Sequence, residues 1–319
     1  MKYQFISVIH KLKLEQPECR IPLASGMITN KSSLIKDFLS YDSTLALHTL
    51  GMHSIDEFQN ATYYLVEGNF EQSRTKGDID RCGTQIAFAF LRQIQAITDE
   101  LWHIRDNAVY VRDGFLFVYD KHIDDGVTFK GSLSRINTMA SLSHETVCFS
   151  KEDILSASKE LEHISLSEIF ENKANYSNAT QHQYFKNASI GQKIHAWMHI
   201  LFARSSAAIP IKMLMYVTAM EAMVSTSPIE LSHQVSERVA LLLGNTIEER
   251  EQVYKNIKKA YGYRSKVAHG EPLKGSESDL SLLLVEIDNY LRRLMQQDYP
   301  YNSENKEKDD FFLKMILSK

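Results

Sequence analysis

The sequence predicts an α+β N-terminal domain followed by an all-α helical bundle. In the first half, short runs of alternating and β-branched residues flank one long helical pattern, whereas from about residue 190 the apolar period is helical throughout. The length of 319 residues suits two domains of ordinary size. We therefore divide the chain into an N-terminal domain (1–170), a linker (171–186), a helical bundle (187–300) and a charged tail (301–319).

Strand patterns in the first half are recognised by β-branched residues and partial alternation. They predict four strands, with loops and short elements between the first two: Tyr3–Leu14, Thr62–Phe70, Val127–Leu133 and Glu145–Phe149.

The strongest helical pattern of this half runs from Cys82 to Ile104, with apolar residues at three- and four-residue spacing. Asp78 or Asp80 could cap its start. Two apolar runs follow on either side of Asp113-Gly114, which is a turn dipeptide, so we expect a β-hairpin there.

The first domain is expected to end with a helix and then a linker. Ser150 and Asp153 have the spacing of a capping box and predict a helix through Leu161. Residues 171–186 are polar, rich in Asn and without an apolar period, which predicts a linker. An ordered loop lying over the second domain is the alternative.

Helical patterns separated by short connections fill the second half and predict an antiparallel bundle. The expected helices are Gln192–Ser205, Pro210–Val224, Leu231–Leu243, Glu248–His269 and Glu277–Gln297. The charged tail turns apolar over Phe311–Leu317, which predicts a terminal helix docked on the body or on a partner.

Composition limits the classes of function. The net charge of −4 gives no overall nucleic-acid footprint, so any RNA contact must come from a local patch. No apolar run approaches 18 residues and the start lacks a signal peptide, so we expect a cytoplasmic protein without a membrane partner. Three cysteines far apart in the sequence fit free thiols in a reducing compartment.

The stretch Tyr261–Pro272 holds an arginine and a histidine with four residues between them, Arg264 and His269. Gly270 and Pro272 are helix stop signals, so His269 is expected at the carboxyl end of a helix. Histidine can move protons near neutral pH, and arginine can hold a phosphate through parallel hydrogen bonds. The alternative is a surface helix end at which cations complement the helix dipole.

In three stretches, Ala219–Met223, Ser236–Gly244 and Tyr261–Gly270, the chain resembles the HEPN superfamily, specifically its Apea-like branch of prokaryotic defence proteins. The resemblance covers about residues 193–293. It implies a metal-independent endoribonuclease without a cofactor, acting as a toxin in antiphage defence by abortive infection. Arg264 and His269 would be catalytic, although Ser265 stands where many members carry Asn, Asp or His.

The resemblance also implies a homodimer in which both copies of the motif line one RNA-binding cleft. The N-terminal domain would then sense a phage-derived trigger, restrain the nuclease or choose the RNA. Two alternatives are a catalytically inactive HEPN-like module that binds a nucleotide or a protein, and a structural subunit of a defence complex.

Residues near the motif offer further contacts to RNA. Lys258, Lys259 and Lys266 would attract phosphates, unless they form only a solvated helix face. Tyr263 and Tyr261 could stack on an unpaired base, although aromatic residues beside a helix end are more often part of the core.

Glu221 lies among Ala and Met at positions with a buried pattern, and a buried carboxylate needs a partner. Arg238, Arg264 and His269 are the candidate partners. We expect a structural ion pair in preference to a catalytic carboxylate, and we place Glu221 and Ser265 as supporting residues of the site.

His195 and His199 have the H-x3-H spacing of a metal-binding pair on one helix. The neighbouring Glu of an H-E-x-x-H motif is missing, and so is a cysteine pair. We therefore predict a structural role for both histidines and no metal site.

Overall fold

The computed structural model describes residues 1–36, 39–171 and 191–318. Two compact units divide this part of the chain. The first contains 1–102, 107–136 and the described chain from Glu145, and the second contains 103–106, 137–144 and 191–318. The predicted linker lies outside the described residues beyond Glu171.

The first unit is built on a six-stranded antiparallel sheet with the strand order β3-β4-β5-β1-β6-β7. Two short strands, β2 and β8, form a separate parallel pair. The strands are β1 (Lys2–His10), β2 (Leu12–Leu14), β3 (Arg20–Leu23), β4 (Gly26–Thr29), β5 (Tyr63–Asn69), β6 (Tyr110–Tyr119), β7 (Val127–Ser132) and β8 (Val147–Phe149).

Helices cover both faces of the sheet, so consecutive residues of β1, which point to opposite faces, are both buried. Phe5 on one face packs against Phe90 of the long helix, with ring centroids 5.4 Å apart. Ile6 on the other face joins a core cluster with Phe58 of the first helix. The helices of this unit are α1 (Thr44–Asn60), α2 (Lys76–Glu100), α3 (Lys151–Ala157) and α4 (Leu166–Phe170).

The two long helices differ from the sequence prediction. Helix α2 begins at Lys76, six residues before the predicted start, because Thr75 caps it and Asp78 completes the capping box at the third helical position. Helix α1 occupies a region where only loops and short elements were expected. Its period is broken at Gly51, whose φ of 74° is non-helical, and this break hides the helix from pattern analysis.

The predicted hairpin at Asp113-Gly114 is wrong. Strand β6 continues through both residues, and Gly114 pairs with Ser7 of β1. A Cβ atom at Gly114 would lie 2.5 Å from the ring of Phe5. The glycine therefore permits a close approach inside the sheet and does not form a turn. The helix after Ser150 has the predicted cap but ends at Ala157, not Leu161.

The second unit is helical, and each helix predicted from the sequence is present within a few residues of its expected bounds. The helices are α5 (Gln192–Arg204), α6 (Ile209–Val224), α7 (Leu231–Leu243), α8 (Ile247–Ala268), α9 (Glu277–Met295) and α10 (Asn305–Leu317). Helix α6 contacts α5, α7, α8 and α9, and its residues Met213, Val217 and Met220 are buried. It is the central helix of this unit.

The apolar end of the tail packs on the body of the same unit. Phe312 of α10 is buried beneath the guanidinium group of Arg238, whose carbon lies 4.7 Å from the ring centroid. Arg238 also pairs with Asp309, so it is not the partner of Glu221. None of the helices in the described residues has the length and apolar character that a bilayer span requires.

A buried polar cluster fixes the segments 103–106 and 137–144 to the helices of this unit. Lys212 of α6 is fully buried and donates to the carbonyl oxygen of Thr138 over 3.1 Å. Asp106 accepts from the backbone N–H of Ala140 over 2.9 Å. Burial lowers the pKa of Lys212 to about 8 and raises the pKa of Asp106 to about 6.

Candidate functional site

Helix α8 carries both residues of the predicted motif, and its two ends are well defined. Thr246 caps the start, because its hydroxyl accepts from the backbone N–H of Glu249 over 3.2 Å. Glu248 and Glu249 in the first turn complement the positive end of the helix dipole.

The carboxyl end of α8 is a Schellman motif. The backbone N–H of Glu271 donates to the carbonyl of Lys266 over 2.8 Å, and that of Gly270 donates to Val267 over 3.2 Å. Gly270 adopts the left-handed φ of 70° that this motif needs. The structure thus places His269 at the helix cap, as the sequence predicts, with an exposed side chain.

One turn earlier, Arg264 points to the neighbouring helix α6. Its Nη2 donates to Oε2 of Glu221 over 3.1 Å. The Glu221 carboxylate is 13% exposed and the Arg264 side chain is 28% exposed, so the ion pair is partly shielded from water. Of the three candidate partners of Glu221, Arg264 is the one that the structure selects.

Tyr261 is the second residue of α8 that binds the carboxylate of Glu221. Its hydroxyl donates to Oε1, the carboxylate oxygen that Arg264 leaves free. Tyr261 and Arg264 are three residues apart and share one face of α8, with the guanidinium carbon 5.5 Å from the ring centroid. Burial and the hydrogen bond to Glu221 raise the pKa of Tyr261 to about 12, so its hydroxyl stays protonated as a donor.

Arg264 retains donor capacity beyond this contact. Its Nε is buried and has no hydrogen-bond partner among the described residues. A guanidinium group offers five N–H donors in a planar fork, and Glu221 uses one of them. Because Nε is buried, a phosphate oxygen could reach only the part of the guanidinium group that is exposed to solvent.

Arg264 and His269 do not contact each other within one chain. Residues five apart in a helix lie about 140° apart around the axis and about 7.5 Å along it. The side chain of His269 takes part in none of the hydrogen bonds or ion pairs found among the described residues. A site that uses both groups on one phosphate therefore needs a second copy of the motif or a ligand that reaches both positions.

The remaining predicted contacts lie on α8 around the motif. Lys258 is exposed and sits 5.6 Å from the ring of Tyr254, and Lys259 is exposed. The hydroxyl of Tyr263 donates to the carbonyl of Lys274 over 3.3 Å, so this residue also fixes the loop that follows the helix.

Ser265 and Lys266, also predicted as site residues, are half-buried and contribute backbone groups to the helix end. The carbonyl of Ser265 accepts from the backbone N–H of His269 over 3.1 Å. Lys266 supplies the carbonyl that accepts from Glu271 in the Schellman motif.

Helix α5 packs along α6 and carries one of the two histidines of the H-x3-H pair, His199. His199 is half-buried, and its Nδ1 is buried without a hydrogen-bond partner in the described part of the chain. Burial lowers the pKa of His199 below its ordinary value and His195 lowers it further, whereas the Glu221 carboxylate raises it. No group of three potential metal ligands is found among the described residues.

Sequence reasoning missed one contact of this site. Tyr261 was considered as a stacking or core residue, but its hydroxyl binds Glu221, and its three-residue spacing from Arg264 was the available signal.

In comparisons with known proteins, no family model, curated protein or solved structure matches this chain.

Proposed function

We propose that the second unit is a HEPN-like domain, the class that the Arg-x4-His motif and its helical surroundings resemble. Within that class we propose an Apea-like endoribonuclease that cleaves RNA without a metal ion and acts as a toxin in antiphage defence. Arg264 and His269 are the catalytic residues of this proposal, and Glu221 and Tyr261 position Arg264.

The observation that carries the proposal is the way Arg264 is held. Glu221 accepts from both Tyr261 and Arg264 and so holds the guanidinium group, while the Arg264 side chain stays 28% exposed to solvent. A preorganised cation with free donors suits a phosphate that gains negative charge in the transition state. The exposed histidine at the end of the same helix supplies a side chain that can donate or accept a proton.

The reaction needs little else from the protein. The ribose 2′-oxygen attacks phosphorus and loses its proton while the bond from phosphorus to the 5′-oxygen breaks and that oxygen gains a proton. The products are a 2′,3′-cyclic phosphate and a 5′-hydroxyl. His269 would transfer a proton and Arg264 would stabilise the charge on the phosphate oxygens.

A symmetric homodimer supplies the second half of the site in this proposal. The side chains of Arg264 and His269 leave α8 in directions about 140° apart. Two copies related by a two-fold axis could therefore place the arginine of one chain near the histidine of the other. Lys258, Lys259 and Lys266 would extend the cationic surface along the RNA backbone, and Tyr263 would lie beside it.

A noncatalytic binding module is the second candidate. The ion pair between Arg264 and Glu221 joins α8 to α6 and could serve the fold alone. In that case Arg264 and the nearby lysines would bind a nucleotide or a protein without any cleavage.

RNA cleavage by the purified protein separates the two candidates. Total RNA is incubated with the full chain, with and without EDTA, and with His269→Ala as the inactive control. Cleavage that survives EDTA and disappears in the variant supports the nuclease. Unchanged RNA together with measurable RNA or nucleotide binding supports the binding module.

A further inference from the structure

The first unit contains a groove of about 590 Å³ where β1 extends past its neighbour β5. Strand β5 begins at Tyr63, opposite Val8, whereas β1 continues to His10. Residues 8–13 and 57–62 line most of the groove. Its volume falls within the range of about 300–1,000 Å³ that is typical of small-molecule sites. None of the residues proposed for the RNA site lines it.

The backbone beside this groove is strained at two positions. Among the described residues, four that are not glycine have a left-handed φ, and two of these line the groove: Lys11 at 63° and Glu18 at 49°. The carbonyl of Lys11 accepts from the backbone N–H of Val147 over 2.9 Å, which helps to hold this conformation. Strained residues of this kind cluster at functional sites. The fold thus keeps Lys11 at the groove in an unfavourable backbone conformation.

Two ammonium groups of the groove have no partner. Lys11 is half-buried and Lys13 is exposed, and neither side chain makes an ion pair or a hydrogen bond to the described part of the chain. The carboxylate of Glu18, by contrast, lies 3.1 Å from the Nζ of Lys31, which balances its charge. The two unpaired cations can therefore bind an anionic group.

The groove also holds hydrogen-bond acceptors. The ring of His10 stacks on Tyr110 at 4.6 Å, and its Nδ1 lies 3.3 Å from Oε1 of Glu57. Burial lowers the pKa of His10 more than the carboxylate raises it, so the imidazole is neutral near pH 7 and Glu57 keeps its charge. Helix α1 ends at Asn60 beside the groove, and the last carbonyl oxygens of a helix lack helical N–H donors.

We propose that this groove binds a sugar phosphate, either free or as part of a mononucleotide. The ammonium groups of Lys11 and Lys13 bind the phosphate, and Glu57 accepts from the sugar hydroxyls. A phosphate ion alone would fill only a small part of the volume and would leave these acceptors unused. The proposal concerns the first unit and does not rest on the nuclease function.

Calorimetric titration of the full chain tests the class of ligand. The probes are ribose 5-phosphate, adenosine 5′-monophosphate, uncharged adenosine and inorganic phosphate. At least one of the two phosphorylated sugars should bind more tightly than both adenosine and inorganic phosphate. Equal affinity for the two would indicate a sugar phosphate as the ligand, and tighter binding of the monophosphate would indicate a nucleotide. If neither binds more tightly than adenosine and phosphate, the proposal is wrong.

Lysine variants test the place of binding. The double variant Lys11→Gln with Lys13→Gln should lose on the order of tenfold or more in affinity for the tighter phosphorylated sugar, because two charge-assisted contacts are removed. Lys76→Gln is the control, since Lys76 is exposed on α2 and does not line the groove. Unchanged affinity in the double variant, or an equal loss in the control, would place the ligand elsewhere and overturn the proposal.

Two further measurements guard against indirect effects. Lys11→Gly removes one ammonium group while glycine adopts the left-handed φ without strain, so it should fold normally and still bind the phosphorylated sugar more weakly. In the wild type, the NMR signals of the His10 ring should shift when this sugar is added. Full affinity in Lys11→Gly together with an unchanged His10 signal would contradict binding in this groove.

Discussion

At the scale of single residues, a substitution of Arg264 separates a catalytic role of this side chain from a structural one. We expect Arg264→Lys to fold normally, because lysine can still pair with Glu221 across the same helix contact. Cleavage should fall on the order of 10²–10³-fold, because an ammonium group lacks the planar fork that binds phosphate through two hydrogen bonds. The melting temperature and the rate of RNA cleavage measure the two effects separately.

Arg250→Lys is a matched control on the same helix. The Arg250 side chain donates to the carbonyl of Gly244 over 2.9 Å, away from the motif, so its replacement should leave cleavage unchanged. If Arg264→Lys cleaves at the wild-type rate, Arg264 is not catalytic. A large loss of melting temperature in that variant would instead indicate a structural ion pair with Glu221.

His103 gives a prediction about stability and pH. Its ring stacks on Trp197 at 4.6 Å, and burial lowers its pKa to about 4, with smaller contributions from nearby cations. The unfolded chain therefore binds a proton at this histidine more readily than the folded chain does. The free energy of unfolding is at its full value above pH 6.5, where the ring is neutral in both states, and it decreases as the pH falls towards 4. In His103→Gln the fall in stability between pH 7 and pH 5 should be smaller than in the wild type.

Denaturant unfolding at the two pH values measures this difference. The exposed His144→Gln should show the full wild-type dependence. Equal losses of stability in His103→Gln and in the wild type would show that the His103 ring does not titrate in this way.

At the scale of elements, two glycines of α8 should respond in opposite directions to the same substitution. Gly262 lies inside the helix and an added Cβ meets nothing within 4 Å, so Gly262→Ala should stabilise the protein by about 0.5–1 kcal/mol. Gly270 has a φ of 70° in the Schellman motif, so Gly270→Ala should cost about 1 kcal/mol. Unfolding free energies of the two variants test the pair, and equal signs would contradict the assigned helix end.

The helices of the second unit were predictable because their signals are local. Apolar residues recur at helical spacing, Thr246 provides a cap, and Gly270 stops α8. In the first unit the decisive facts were tertiary. Strand β6 continues through Gly114, and Phe5 of the adjacent strand leaves no room for a side chain there. This close approach cannot be inferred from a turn dipeptide.

The candidate site likewise has residues that local sequence signals predict and contacts that depend on tertiary packing. Arg264 and His269 were predicted from spacing and helix stop signals, and Glu221 was predicted to need a partner. The choice of Arg264 over Arg238 was open, because it depends on which helix faces α6 and on the pairing of Arg238 with Asp309.

At the scale of the whole molecule, the proposed nuclease requires assembly. We expect a two-fold dimer through the helical unit, with the His269 side chains of both chains facing one cleft. Light scattering at the concentration of the cleavage assay should give twice the chain mass of 36.6 kDa. Monomers that cleave RNA would refute the shared site, and so would a dimer with the two motifs on opposite outer surfaces.

The ends of the RNA products test the central claim most directly. The proposed reaction uses the 2′-hydroxyl as its nucleophile, so the full chain should leave a 2′,3′-cyclic phosphate and a 5′-hydroxyl. The same ends should form in the presence of EDTA, and they should disappear in Arg264→Ala and in His269→Ala. Products with a 5′-phosphate, or cleavage that persists in both variants, would contradict the assignment of Arg264 and His269 as the catalytic residues.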